Sequence, residues 1–178
     1  MFSFENLDAS TRVLMLQELD RDLERDAIFL DTRLNSGATD LYLKLLRAAL
    51  ESGTADSFSE AIGHHRLLKD EETRRVGEKE ILAKVPRTAH YTLGEGEFNR
   101  YYMRAICLRA IELGQREVEV YRAKPVQTPR LESENTAGTF KNARELLEQL
   151  RTTNISVARS FPGANSGKSL RLITNKGL

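Results

Sequence analysis

The chain has 178 residues, of which 40% are hydrophobic and 30% charged, an ordinary composition for a globular protein with one well-buried core. No apolar run approaches the roughly 18 residues that a membrane-spanning helix needs, and the N-terminal segment MFSFENLDAS lacks the basic and apolar regions of a secretory signal. We therefore expect a protein that contacts no membrane and is not secreted, located in the cytoplasm or within a particle assembled there.

Charge is distributed unevenly along the chain, although the formal net charge is only +1. Residues 1–60 carry 12 acidic and 6 basic side chains, whereas residues 61–178 carry 14 acidic and 21 basic ones. Such polarity can steer a polyanion to one end of the molecule, or it can pair the acidic end of one subunit with the basic end of the next.

The first 68 residues predict a helical N-terminal region. Apolar residues three or four apart indicate a long first helix that Asp8 opens and residues 35–37 close. Its outer face would carry charged residues that include Glu18 and Asp22. The predicted apolar face consists of Val13, Leu16, Leu19, Leu23, Ala27, Leu30 and Leu34. A second helix is expected to begin at residues 39–40 and a third at the Ser57/Glu60 pair, which has the capping-box spacing. Their short connections favour an antiparallel bundle.

Residues 69–80 have almost no apolar side chain to bury, which predicts a mobile loop or hinge. We place there the boundary between the helical N-terminal region and an α+β C-terminal region, residues 81–178. A short strand over 81–85 is followed by a central helix from the Thr92/Glu95 capping pair to Gly114. A strand over 117–124 comes next, then a helix capped by Thr139, and two further strands over 155–159 and 169–174.

These elements predict the α+β fold class: an N-terminal helical hairpin or bundle followed by a small sheet packed with two helices.

One motif imitates a phosphate-binding loop. The sequence PGANSGKS, residues 162–169, resembles the Walker A pattern, but that pattern requires glycine where Pro162 stands, and Pro162 has no N–H to offer a phosphate. The residues after it are strand-like, whereas a phosphate loop opens a helix. A hairpin loop explains the segment better than a nucleotide site.

Candidate metal ligands and nucleophiles do not converge in the sequence. His64 and His65 are adjacent on a predicted helix and point to different sides, and His90 stands far from both. The single cysteine, Cys107, lies among apolar helical neighbours and is expected to be a buried structural thiol. No residue set predicts a catalytic residue, a cofactor or a metal.

One arrangement leaves an enzyme alternative open. Glu117 and Glu119 precede Arg122 and Lys124 on a strand that follows a helix, as acids and a lysine do in metal-dependent nucleases. Glu119 and Lys124 are five positions apart, so they face opposite sides of an ideal strand. Surface ion pairing accounts for these residues more simply than a nuclease or hydrolase with a spatially assembled site.

The densest set of aromatic and guanidinium groups lies on the central helix, where Arg100 and Arg104 are four residues apart beside Tyr101. Arginine and tyrosine are favoured anchors of protein interfaces, and they also suit phosphates and stacked bases. We therefore predict an interaction surface from the central helix and the basic C-terminal part. Its residues would be Arg100, Tyr101, Arg104, Arg122, Lys124, Arg130, Lys168 and Arg171.

The leading hypothesis is a non-catalytic structural or interaction protein, a homo- or hetero-oligomeric subunit of a larger assembly such as a virion-like or phage-like particle. The first alternative is a nucleic-acid-binding accessory protein that uses the Arg/Tyr helix and the basic C-terminus. A near-zero net charge with interleaved acids weighs against that alternative. The hydrolase or nuclease is the second alternative.

Overall fold

The computed structural model describes residues 2–125, 137–152 and 167–173, and in these ranges the chain forms five helices and two small antiparallel sheets. The α+β fold class is thereby confirmed. In chain order the elements are α1 (Ala9–Glu24), α2 (Thr39–Glu51), α3 (Ala55–His64), β1 (Glu71–Val76), β2 (Lys79–Lys84), α4 (Ala89–Glu112), β3 (Glu117–Arg122), β4 (Phe140–Asn142), α5 (Ala143–Arg151) and β5 (Lys168–Arg171).

Helix α4 runs through the middle of the fold and is buried on most of its sides. It packs against α1, α3 and α5, and against strands β3 and β5. Its close contact with α3 depends on Gly94, because a Cβ at that position would lie 2.4 Å from Ser59 Oγ and 2.7 Å from Ser59 Cα. The helix ends just before Gly114, as predicted from the sequence.

The larger sheet has the strand order β4-β3-β5, with both neighbours antiparallel to β3. Val118 and Val120 point to the same side of β3 and are fully buried, as their two-residue spacing on the predicted strand favours. Strand β5 is part of this core because Leu170 is fully buried as well. It covers most of the predicted strand over 169–174, whereas the predicted strand over 155–159 lies outside the described residues.

The first helix is shorter than predicted and buries a different face. It ends at Glu24, and the chain then turns at Asp26, whose φ is +48°, so residues 27–34 are not helical. Val13, assigned to the apolar face, is 54% exposed. The buried residues are Thr11, Leu14, Met15, Glu18, Leu19 and Asp22. The spacing of apolar residues predicted the wrong face because Glu18 and Asp22, which look solvent-facing in the sequence, are buried with arginine partners from other helices.

The prediction of a loop over residues 69–80 is wrong as secondary structure. These residues form β1 and the start of β2, which pair antiparallel from Glu71↔Lys84 to Val76↔Lys79. The sequence lacks the apolar alternation of a packed strand because this hairpin does not pack on the core. The division of the chain into regions 1–68 and 81–178 stays a prediction.

Three helix starts also differ from those predicted. Helix α3 is capped by Thr54, which forms a capping box with Ser57. Helix α4 begins three residues before Thr92, and α5 is capped by Asn142, whose side chain accepts from two backbone N–H groups. In each case a suitable capping side chain, or the tertiary packing, begins the helix a few residues from the expected position.

Candidate interaction surface

Arg104, a predicted contact residue, lies in the interior and is fully buried. Its guanidinium donates to Asp22 at 2.5 and 2.8 Å and to Glu18 Oε2 at 2.7 Å, so that it holds two helix α1 carboxylates one turn apart. Arg151 of α5 binds the other oxygen of Glu18 at 2.5 Å. Burial would lower the pKa of Arg104, but Asp22 and Glu18 outweigh it and raise that pKa. This network ties α1, α4 and α5 together.

Arg100 and Tyr101 are buried beside that network. The Tyr101 hydroxyl donates to Asp22 Oδ2 at 3.1 Å, and burial together with the nearby Glu97 and Asp22 charges raises its pKa. Arg100 Nε donates to the carbonyl of Leu150 at 3.2 Å. The central helix therefore does not expose these side chains, because they are buried among partners of the same chain. Their assignment to an interaction surface stays a prediction.

Two of the remaining predicted basic residues also bind acids of their own chain. Lys124 binds Glu95, and Arg171 binds Glu119 at 2.6 Å and Glu5 at 2.9 Å. Lys168 is buried at the start of β5, and burial followed by the nearby positive charge of Arg122 lowers its pKa. Arg122 is half-buried, with one guanidinium nitrogen buried and without a hydrogen-bond partner among the described residues. Arg130 lies outside the described residues.

The enzyme alternative gains no site from the part of the chain that the structure describes. Glu119 and Lys124, the two residues it needs together, are bound to separate partners. No group of three or more metal-ligating side chains occurs among the described residues. Burial raises the pKa of Cys107 to about 12, which suits the predicted structural thiol. Lys168 begins a strand, so the described end of the PGANSGKS segment lacks the helix of a phosphate loop.

The β1–β2 hairpin, hereafter the arm (residues 71–84), is almost wholly exposed. A two-residue turn joins its strands, with Gly77 at φ +63° in the first turn position, as a type II′ turn requires. Only Glu72 and Ala83 in the two strands are even half-buried. Neither strand packs substantially against another helix or strand of the described ranges.

The arm displays apolar side chains as well as charges. Val76, Ile81 and Leu82 are 60%, 44% and 68% exposed. Side chains alternate between the two faces of a strand, so Leu82 lies on one face while Val76 and Ile81 lie on the other. An isolated two-stranded hairpin is marginally stable in water unless more strands or a packed surface support it. The arm therefore has a physical reason to contact another molecule.

An open cleft of about 590 Å³ lies at the base of the arm, between it, the end of α3 and the start of α4. Its lining has more basic than acidic side chains. The charged or titratable residues there are Arg66, Lys69, Asp70, Glu71, Lys84, Arg87 and His90. The sequence did not point to this cleft, because its residues come from two stretches, 62–71 and 84–90, that only the fold brings together.

No protein-family model, no curated protein and no solved structure matches this chain. Among the described residues, no helix is long and apolar enough to cross a membrane. The proposal below therefore rests on the chain's own geometry, in which the arm is an exposed element that packs on no other described helix or strand to any substantial extent.

Proposed function

We propose that this protein is a non-catalytic interaction protein, a subunit of a larger protein assembly, and that it contacts its partner subunits through the arm. The observation that supports this function is a complete β-hairpin that extends from the core with three exposed apolar side chains. A virion-like or phage-like setting remains a prediction from the sequence.

The contrast between arm and core supports this assignment. In the core, even the arginines have carboxylate partners, as Arg104 has in Glu18 and Asp22. In the arm, the open strand edges and the apolar side chains face solvent. Exposed strand edges pair readily with strands of other chains, which makes the arm an element that another protein would cover.

Removing the arm tests the proposal. The backbone N–H of Val85 donates to the carbonyl of Asp70 at 2.8 Å, so the ends of the arm are close enough to be joined by an Asn-Gly turn in place of residues 71–84. Size-exclusion chromatography with light scattering then compares the intact and arm-deleted proteins. We expect an oligomer for the intact chain and a monomer with unchanged helical circular dichroism for the deletion.

A matched control replaces an exposed apolar side chain outside the arm. Val13 on α1 is 54% exposed, so Val13→Ser removes a comparable apolar surface and should leave the oligomer intact. The proposal is wrong if the intact chain is a monomer that binds no protein, or if the arm-deleted protein assembles as before. Loss of cooperative folding on deletion would instead show that the arm is part of the core.

The cleft supports a second candidate function, the binding of a polyanion such as single-stranded nucleic acid. Four of its lining residues are arginine or lysine, against two acids. Adding a single-stranded oligonucleotide to the same chromatography tests this candidate. Co-elution that weakens steeply as salt rises, without any protein oligomer, would favour nucleic-acid binding over subunit assembly.

A further inference from the structure

Among the strands that the structure describes, none lies beside the outer edge of β1. The hydrogen bond from Val85 N–H to Asp70 C=O shows that residue 70 and, by alternation, residues 72, 74 and 76 direct their backbone groups toward β2. The backbone groups of Glu71, Thr73 and Arg75 consequently face the opposite edge.

Along the line of that outer edge, backbone hydrogen bonds to other described parts of the chain end at Lys69. Lys69 N–H donates to the carbonyl of Arg33 at 2.8 Å, and Asn35 N–H donates to the carbonyl of Leu67 at 2.8 Å. No such bond continues to Glu71, Thr73 or Arg75 among the described residues. An open run of backbone donors and acceptors therefore begins where the arm leaves the core.

The charges along this edge complement a second copy of themselves. Residues 71–75 have the sequence EETRR, with two acids before Thr73 and two arginines after it. If two copies pair antiparallel with Thr73 opposite Thr73, each Glu71 faces an Arg75 and each Glu72 faces an Arg74. All four charged cross-strand pairs then have opposite signs, which stabilises neighbouring strands.

The hydrogen-bond pattern is compatible with this register. With Thr73 opposite Thr73, the residues that face each other with outward backbone groups are 71 with 75, and 73 with 73. These are the same residues whose backbone groups lie on the outer edge. On the outer edge of β2 the outward residues are 80, 82 and 84, so pairing of two copies about Leu82 gives two pairs of opposite charge, Glu80 with Lys84, against four pairs for β1.

We infer that the outer edge of β1 pairs with the same edge of a second copy, forming a four-stranded antiparallel sheet of order β2-β1-β1-β2 around a two-fold axis at Thr73. This inference rests on the proposed function, since it names the partner of the arm. Two-fold pairing uses the same surface on both copies and closes at two chains. It also gives each arm the additional strands that an isolated hairpin lacks.

Charge reversal tests the register directly. The variant Glu71→Arg/Glu72→Arg makes the edge wholly basic, and Arg74→Glu/Arg75→Glu makes it wholly acidic. Each should fail to pair with itself, with a dimer dissociation constant raised about tenfold or more, because all four cross-strand pairs become like-charged. An equimolar mixture of the two variants should restore a dimer that contains one chain of each.

A four-fold variant separates this effect from damage to the arm itself. Within the arm, Glu71 faces Lys84 and Arg75 faces Glu80, so the double variants also place like charges opposite each other inside the hairpin. Reversing all four charges gives RRTEE, which breaks both of these facing pairs but keeps the charges complementary between copies. Positions 72 and 74 also stay oppositely charged, as in the ion pair between Glu72 and Arg74 that each double variant breaks. This variant should dimerise like the unaltered chain, as measured by light scattering and analytical ultracentrifugation at low salt.

The possible failures can be told apart. If assembly requires the arm but the mixture and the four-fold variant stay monomeric, the pairing of β1 with itself is wrong while the proposed function stands. Dimers that form equally well in both double variants have the same consequence. If the unaltered chain is monomeric at every concentration, the inference is wrong, and the proposed function is wrong as well if that monomer binds no other protein.

Discussion

Replacing Arg104 by methionine should destabilise the fold more than any single change on the surface. The side chain is fully buried between Glu18 and Asp22, and both carboxylates would remain in the interior after its removal. Arg151 would still bind Glu18, so the carboxylate that loses its charge partner is mainly that of Asp22. The remaining partners of Asp22 are the Tyr101 hydroxyl at 3.1 Å and Arg21 at 3.3 Å.

Removing one partner of a buried ion pair typically costs about 3–5 kcal/mol, since a charge is left without compensation in a weakly polar interior. For a chain of this size, that corresponds to a fall in Tm of roughly 6–20 °C. Urea unfolding followed by circular dichroism would measure the change in unfolding free energy. Adding Asp22→Asn to Arg104→Met should recover part of the loss, because the uncompensated charge is removed.

A matched control is available on the same helix. Arg109 binds Asp8 at 2.8 Å, but Asp8 is half-exposed, so Arg109→Met should cost less than about 1 kcal/mol. If Arg104→Met costs no more than Arg109→Met, or if Asp22→Asn recovers nothing, the buried network does not hold the three helices together as argued above.

Two further predictions concern the interior of α4. Gly94→Ala should destabilise the fold by about 1–3 kcal/mol in urea unfolding, because the new Cβ would meet Ser59 backbone and side-chain atoms at 2.4–2.9 Å. An unchanged urea midpoint of unfolding would contradict this, since it would show that α3 moves aside without cost. Burial raises the pKa of Glu97 above its ordinary value of 4.5, so the folded state holds this proton more tightly than the unfolded chain. The stability from that proton is present below about pH 4.5 and is lost as pH rises through the raised pKa. Relative to the native chain, Glu97→Gln should therefore gain stability as pH rises above about 4.5, and a difference independent of pH would contradict this.

The sequence by itself determined the features that depend on local patterns. The α+β class, the end of the central helix before Gly114 and the burial of Val118 and Val120 on one face of β3 were all predictable. Each follows from a glycine stop or a two-residue alternation, which need no knowledge of distant residues. The burial of Cys107 belongs with them, since its neighbours along the helix are apolar.

Tertiary structure alone decided which charges are inside. Glu18 and Asp22 look like solvent-facing acids, and Arg104 looks like a surface contact, until α1 and α4 meet and bury them together. More than 80 residues separate Arg104 from these partners, so no local pattern records the pairing. A partial signal was present in the i, i+4 spacing of the two acids, which places them on one side of α1.

The arm was missed for the opposite reason. Its strands do not pack on the core, so they lack the apolar alternation by which strands are predicted from sequence. Gly77 in a two-residue turn and the opposite charges at Glu71↔Lys84 and Arg75↔Glu80 were the local signals that could have identified it. Whether a charged segment forms a loop or a projecting hairpin depends on cross-strand pairing, which emerges only when both strands are placed together.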